Sequence, residues 1–168
     1  DNTPLNSVAS ETKDEMKSNE SSFSLFYKKT FLKPVEEFTG EASYYTFSSD
    51  QLSSFKNSRH PYNSDQVLST YSRIEDNLNK RHYFSTKLDY VYPLGMYAKI
   101  ETGYQFYLQK MDYDFNIDYQ EESNLFRYSE LRNSLYGGLT VNFKKIGIQA
   151  LLRVENSHID ADSVTRPD

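Results

Sequence analysis

The sequence predicts an all-β fold: an antiparallel, up-and-down transmembrane β-barrel segment of about six strands drawn from a larger barrel. Three observations lead there. Apolar and polar residues alternate with a period of two, the alternation holds for roughly ten residues at a time, and the connectors alternate between two sizes. No apolar run approaches the ~18 residues that suggest a transmembrane helix. A mean hydropathy of −0.77 still suits a barrel, since only alternate side chains of a barrel strand meet lipid.

The elements follow in order. Residues 1–22 carry five acidic and two basic side chains with no periodic apolar pattern, and read as a flexible polar loop or tail. They have neither the basic nor the apolar region of an export signal, so the chain either stays inside the cell or is a piece of something longer. Barrel strands are expected across residues 23–160. Phe23–Leu32 and Phe38–Phe47 alternate weakly, the latter with Phe38, Gly40, Ala42 and Tyr44 on one face. Tyr83–Tyr92 sets Phe84, Thr86, Leu88, Tyr90 and Tyr92 against Ser85, Lys87 and Asp89. Ala98–Gln109 is the clearest segment, with Ala98, Ile100, Thr102, Tyr104, Phe106 and Leu108 opposite Lys99, Glu101, Gly103, Gln105, Tyr107 and Gln109. Leu131–Phe143 and Ile146–Asn156 repeat the scheme, the last with Ile146, Ile148, Ala150, Leu152 and Val154 sharing a face.

Lys33–Glu37, Pro93–Met96 and Lys144–Lys145 read as short turns, whereas residues 48–80 and 110–129 read as long extracellular loops, with a loop end at 161–168. Tight turns at one end and long loops at the other are the pattern of outer-membrane barrels. A soluble sandwich also alternates, but its strands average about 5–6 residues. Tyr44, Tyr45, Tyr83, Tyr90, Tyr92, Tyr104 and Phe143 lie near segment ends, where interfacial girdles form.

The facing follows from charge. A Lys or Arg pointing at lipid near the midplane would cost about 2–4 kcal/mol. Lys87, Asp89, Lys99, Glu101, Arg153 and Glu155 therefore line the lumen. Lys87 and Asp89 are expected to pair across the ladder with Glu101 and Lys99, each contact contributing roughly 0.2–1 kcal/mol.

Chemistry is sparse. The chain has no cysteine, which removes disulfides, thiol nucleophiles and thiolate metal sites. A net charge of −5 gives no reason to expect nucleic acid. His60, His82 and His158 are too far apart for metal-ligand spacing, and no phosphate loop or nucleophile motif occurs, so neither an enzyme nor a cofactor or metal protein is expected. The carboxylate pairs Glu36-Glu37 and Glu121-Glu122 read as solvated connectors. The candidate ligand contacts are Asp112, Tyr113, Asp114, Phe115, Asp118 and Tyr119, an acidic, aromatic-interleaved loop tip. It offers oxygens to Ca²⁺ or flat rings to a sugar; its plainer role is a hairpin extension above the membrane.

Lys87-Leu88-Asp89-Tyr90-Val91-Tyr92-Pro93-Leu94, then Glu101-Thr102-Gly103-Tyr104, then Leu151-Leu152-Arg153-Val154-Glu155 with Ile159-Asp160, resemble the carboxy-terminal barrel region of the Bacteroidetes outer-membrane β-barrel family of TonB-dependent receptors. The resemblance covers roughly residues 38–160. It implies a place in the bacterial outer membrane, and uptake of an iron chelate, glycan or peptide through a plugged barrel. The implied partners are outer-membrane lipid, the remaining strands and plug of the same receptor, the inner-membrane TonB complex, and a surface lipoprotein. Six strands are about a quarter of the 22-stranded barrel of such transporters. Two other classes stand beside this one: an outer-membrane barrel that anchors partner proteins, and a soluble β-rich binding domain.

Overall fold

The computed structural model describes residues 6–118 and 122–167. Six strands run through them: β1 (Asn6–Thr30), β2 (Glu37–Pro61), β3 (Ser69–Leu94), β4 (Ala98–Ile117), β5 (Glu122–Phe143) and β6 (Ile146–Pro167). They form one sheet in sequence order, every neighbour antiparallel. The expected short turns are present. Gly95 takes φ +77° in the β3–β4 turn, a left-handed conformation that glycine adopts without steric penalty. In the β1–β2 turn the Lys33 ammonium lies 4.2 Å over the Tyr92 ring and hydrogen-bonds the Tyr92 hydroxyl, which raises the Lys33 pKa above its ordinary value.

The expected loops are corrected. Residues 6–22 belong to β1 rather than to a flexible tail, and most of 161–168 belongs to β6. The connector 48–80 is largely strand, with β2 continuing to Pro61 and β3 beginning at Ser69; 110–129 is likewise occupied by β4 and β5. The reason is solvent. An antiparallel ladder that is wet on both faces needs no apolar alternation, so Ser, Asn, Asp and Lys on both sides conceal strand from a periodicity search.

Partners across an antiparallel ladder point to the same side, so the register decides whether the apolar faces coincide. They do. Tyr27, Gly40, Leu88, Tyr104, Leu135 and Val154 form one continuous row, and Lys29, Phe38, Tyr90, Thr102, Gly137 and Leu152 form the next but one, on the same face. Through the band from the short turns to Tyr44, Phe84, Leu108, Leu131 and Val154, this face of β2 to β6 bears no charged residue. The band is nine residues long on β6 (146–154) and eleven on β4 (98–108), close to the ~9–11 residues a tilted strand needs to cross a bilayer. Leu152, Ile148 and Leu135 stay 74, 64 and 64 % exposed. Two polar side chains in mid-band satisfy each other within the face: Tyr104 donates to Asn133 Oδ1 at 2.6 Å.

Burial is inverted relative to a water-soluble domain. Among the described residues the buried hydrophobic side chain is Leu125, while Ser53, Glu130 and Ser134 are buried on the opposite, polar face. Aromatic pairs rim the turn end of the band, with Phe31 edge-on to Tyr90 and Tyr97 stacked on Phe143.

The sheet is staggered. Glu37, the first residue of β2, pairs with Val91, three residues short of the end of β3, and Ala98 pairs with Val141, two short of the end of β5. Each hairpin thus reaches further down than the one before it, as closure of a tilted-strand barrel demands. β1 pairs with β2 and β6 with β5, and among the described residues they do not pair with each other.

Candidate functional site on the polar face of the wall

The even-numbered residues of β5 and the odd-numbered residues of β3, β4 and β6 share the face opposite the apolar band. It holds all six charged residues expected in the lumen. Their pairing differs from expectation. Lys87 bonds Asp89 at 3.0 Å, Lys99 bonds Glu101 at 2.7 Å, and Arg153 bonds Glu155 at 2.8 Å, each within its own strand. The cross-ladder pairs fail because the β3–β4 turn sets Leu94 opposite Ala98, which puts Pro93 opposite Lys99 and Gly103 opposite Asp89. Lys87 then faces Gln105, four residues from Glu101 along β4. Residues i and i+2 share a face roughly 7 Å apart, within reach of a long cation.

Around Arg153 these pairs join a larger network. Arg153 Nη2 donates to Ser134 Oγ at 2.9 Å and Gln105 Oε1 at 3.2 Å, while Ser134 Oγ donates to Glu155 Oε2 at 2.9 Å. Arg132 lies 3.5 Å from Glu155, bonds Glu130, and covers the Tyr107 ring at 5.6 Å. Tyr128 donates to Glu130 at 3.0 Å. Gln105, Tyr107, Gln109, Glu130, Arg132, Ser134 and Arg153 enclose a hollow of about 420 Å³. Two guanidinium groups are matched by two carboxylates, so the hollow is polar without a strong net charge. It suits a hydrogen-bonding surface and offers no activated nucleophile.

Glu130, Arg132 and Ser134 escaped the sequence reading as site residues. The parity that places Tyr136 inward places them inward too, and that signal was available. Their meeting with β6 depends on register and was not.

The acidic, aromatic-interleaved tip is a strand. Asp112 and Asp114 lie on the outward face of β4, and Tyr113 and Phe115 on the inward face, so alternation separates the carboxylates from the rings. Asp112 is 3.9 Å from Arg127, and Tyr113 stacks on Phe115 and donates to Asn77 at 3.1 Å. Asp118 begins the β4–β5 turn, its backbone N–H donating to the Ile74 carbonyl at 3.1 Å; Tyr119 lies outside the described residues. Among the described residues no group of three His, Asp or Glu side chains is placed to hold a metal ion.

An apolar band facing out, an ionic face turned in and a stagger between hairpins describe a membrane-barrel wall. A model of the outer membrane protein beta-barrel family matches residues 29–168, from the end of β1 through β6. The chain belongs to that family. Membership places it in the bacterial outer membrane. It sets aside the soluble-domain reading. No curated protein matches the sequence.

Proposed function

We propose that these six strands are part of the wall of a TonB-dependent receptor in the outer membrane of a Bacteroidetes cell. The receptor takes up a bulky nutrient, an iron chelate, a glycan or a peptide, past a plug held inside the barrel. The observation that carries this reading is the pairing of β1 and β6: among the described residues neither closes on the other, although the stagger is that of a closed barrel. Lipid does not tolerate an open sheet edge, so further strands complete the wall. A barrel wider than six strands has room for a plug, and the paired charges of β3 to β6 give it a polar surface to rest on and slide from. The short turns face the periplasm and the extended hairpins face outward.

The test uses the full-length protein in its own cells. Accumulation of labelled iron chelate, glycan and peptide is compared with and without the inner-membrane energy-coupling complex. Uptake of at least one class should fall to the level of a strain lacking the receptor. Unchanged uptake of all three would refute energy-coupled transport.

A barrel that anchors partner proteins is favoured by a separate feature. β2 continues 17 residues beyond Tyr44, about 55 Å along the strand, making a stiff outward blade rather than a loose loop. Uptake independent of energy coupling, together with surface lipoproteins that co-purify only when the blade is intact, would favour that role.

A further inference from the structure

Above the rim of the apolar band, the aromatic residues are all on one side. Tyr45, Phe47, Tyr83, Tyr113, Phe126 and Tyr128 point inward, as do the remaining phenylalanine and tyrosine residues of these strand segments. Among the described residues the outward face carries neither type there. Cross-strand aromatic pairs would stabilise the ladder equally well from either face, and the apolar band that lipid requires lies lower and on the opposite side, so neither explains the segregation. At the rim, Tyr45, Tyr83 and Tyr107 run across β2, β3 and β4 with ring centroids 5.5 and 6.5 Å apart. A planar amide is fixed among them: Tyr107 donates to Gln109 Oε1 at 2.8 Å, and Gln109 Nε2 donates to the Tyr83 hydroxyl at 3.4 Å. Higher up, Tyr113 stacks on Phe115 and donates to Asn77, while Arg81 donates to Asn79 at 3.2 Å with its guanidinium over the Phe47 ring. From Tyr107 to Phe115 this surface runs about 27 Å along β4, and its lower end opens on the hollow of about 420 Å³ beside Tyr107.

We infer that this aromatic wall binds an uncharged oligosaccharide, which makes a glycan the nutrient of the proposed receptor. Three properties select it. A pyranose ring turns weakly positive C–H bonds toward the negative face of an aromatic ring, and its hydroxyls donate and accept together, as the amides of Asn77, Asn79 and Gln109 do. An anionic iron chelate needs free cations, whereas Arg73, Arg132 and Arg153 on this face are each held by a carboxylate, Glu75, Glu130 and Glu155. An extended peptide is captured along an open strand edge, whereas these rings lie on β2 to β5, each of which has a paired strand on both sides. Of the loop-tip residues, Tyr113 and Phe115 belong to this surface, while Asp112 and Asp114 lie on the outward face, outside it. The inference rests on the proposed receptor and its orientation with the extended hairpins outside. Binding needs neither energy coupling nor cells, so the site and the transport reading can fail separately.

The experiment takes the purified full-length protein and measures its binding to an array of neutral oligosaccharides of glucose, mannose, galactose and xylose, and in solution to a ferric catecholate and to casein peptides. At least one neutral oligosaccharide should bind, and more tightly than the chelate or the peptides. For that oligosaccharide the double variant Tyr83→Ala, Tyr113→Ala should bind about tenfold more weakly or worse per folded barrel. Tyr83→Phe, Tyr113→Phe, which keeps both rings, and Leu78→Ala, on the outward face of β3, should bind close to the wild type. Undiminished binding by the alanine variant, or an equal loss in either control, would overturn the site. If the alanine variant fails to assemble, the wild type alone decides: no binding of any neutral oligosaccharide, or tighter binding of the chelate or the peptides, would overturn the inference. Energy-coupled uptake of a chelate or peptide without glycan binding would sink the site and leave the receptor standing; glycan binding without energy-coupled uptake would do the reverse.

Discussion

Tyr136 on β5 donates its phenolic hydrogen to the Asp89 carboxylate on β3, and the strand it crosses, β4, carries Gly103 at the crossing point. A Cβ at residue 103 would clash with the hydroxyl edge of the Tyr136 ring. Glycine within a strand ordinarily weakens the sheet, and here its missing side chain is the channel through which a two-strand hydrogen bond passes.

Gly103→Val should therefore destabilise the wall by about 1–3 kcal/mol through overpacking. Adding Tyr136→Ala, which removes the ring, should recover a large part of that loss. The urea midpoint of the folded barrel, read from its heat-modifiable gel mobility, measures both. Additive losses would mean the two residues are not coupled.

Leu152→Arg and Ile100→Arg put a cation on the lipid face and should lower stability by about 2–4 kcal/mol near the midplane. Thr39→Arg, on the inward face opposite Asp89, should change it by less than about 0.5 kcal/mol. Equal assembly yields in outer membranes for all three would show that the facing is misassigned.

Val35 takes φ +71° in the β1–β2 turn, a left-handed backbone that a β-branched residue adopts at a penalty of about 1–2 kcal/mol. Val35→Asn should relieve part of this and raise the unfolding midpoint. A lower midpoint would mean that the exposed Val35 side chain contributes more through contact than the turn loses through strain.

Arg153 joins Gln105, Ser134 and Glu155. Its replacement by Leu should lower stability by about 1 kcal/mol, since the pair is half exposed. Glu155 then keeps only the longer 3.5 Å ion contact to Arg132, so Glu155→Leu in the same background should add little. A double-mutant cycle on the urea midpoint checks this: a coupling near zero would show that the pair is incidental.

The sequence by itself determined which residues share the charge-free face and where the tight turns fall. The strands of the band were legible in Ala98–Gln109 and Ile146–Asn156 because a membrane wall separates hydrocarbon from water, and a period of two records that difference residue by residue. Where both faces are wet the record stops. Asn6–Ser22 carries polar residues on both sides, and its strand character comes from pairing with β2 rather than from any pattern of its own. Only the tertiary structure decided which residues meet. Register is a relation between strands, set at each hairpin, and it alone moved Lys87 and Asp89 away from Glu101 and Lys99 and brought Tyr136 over Gly103 to Asp89.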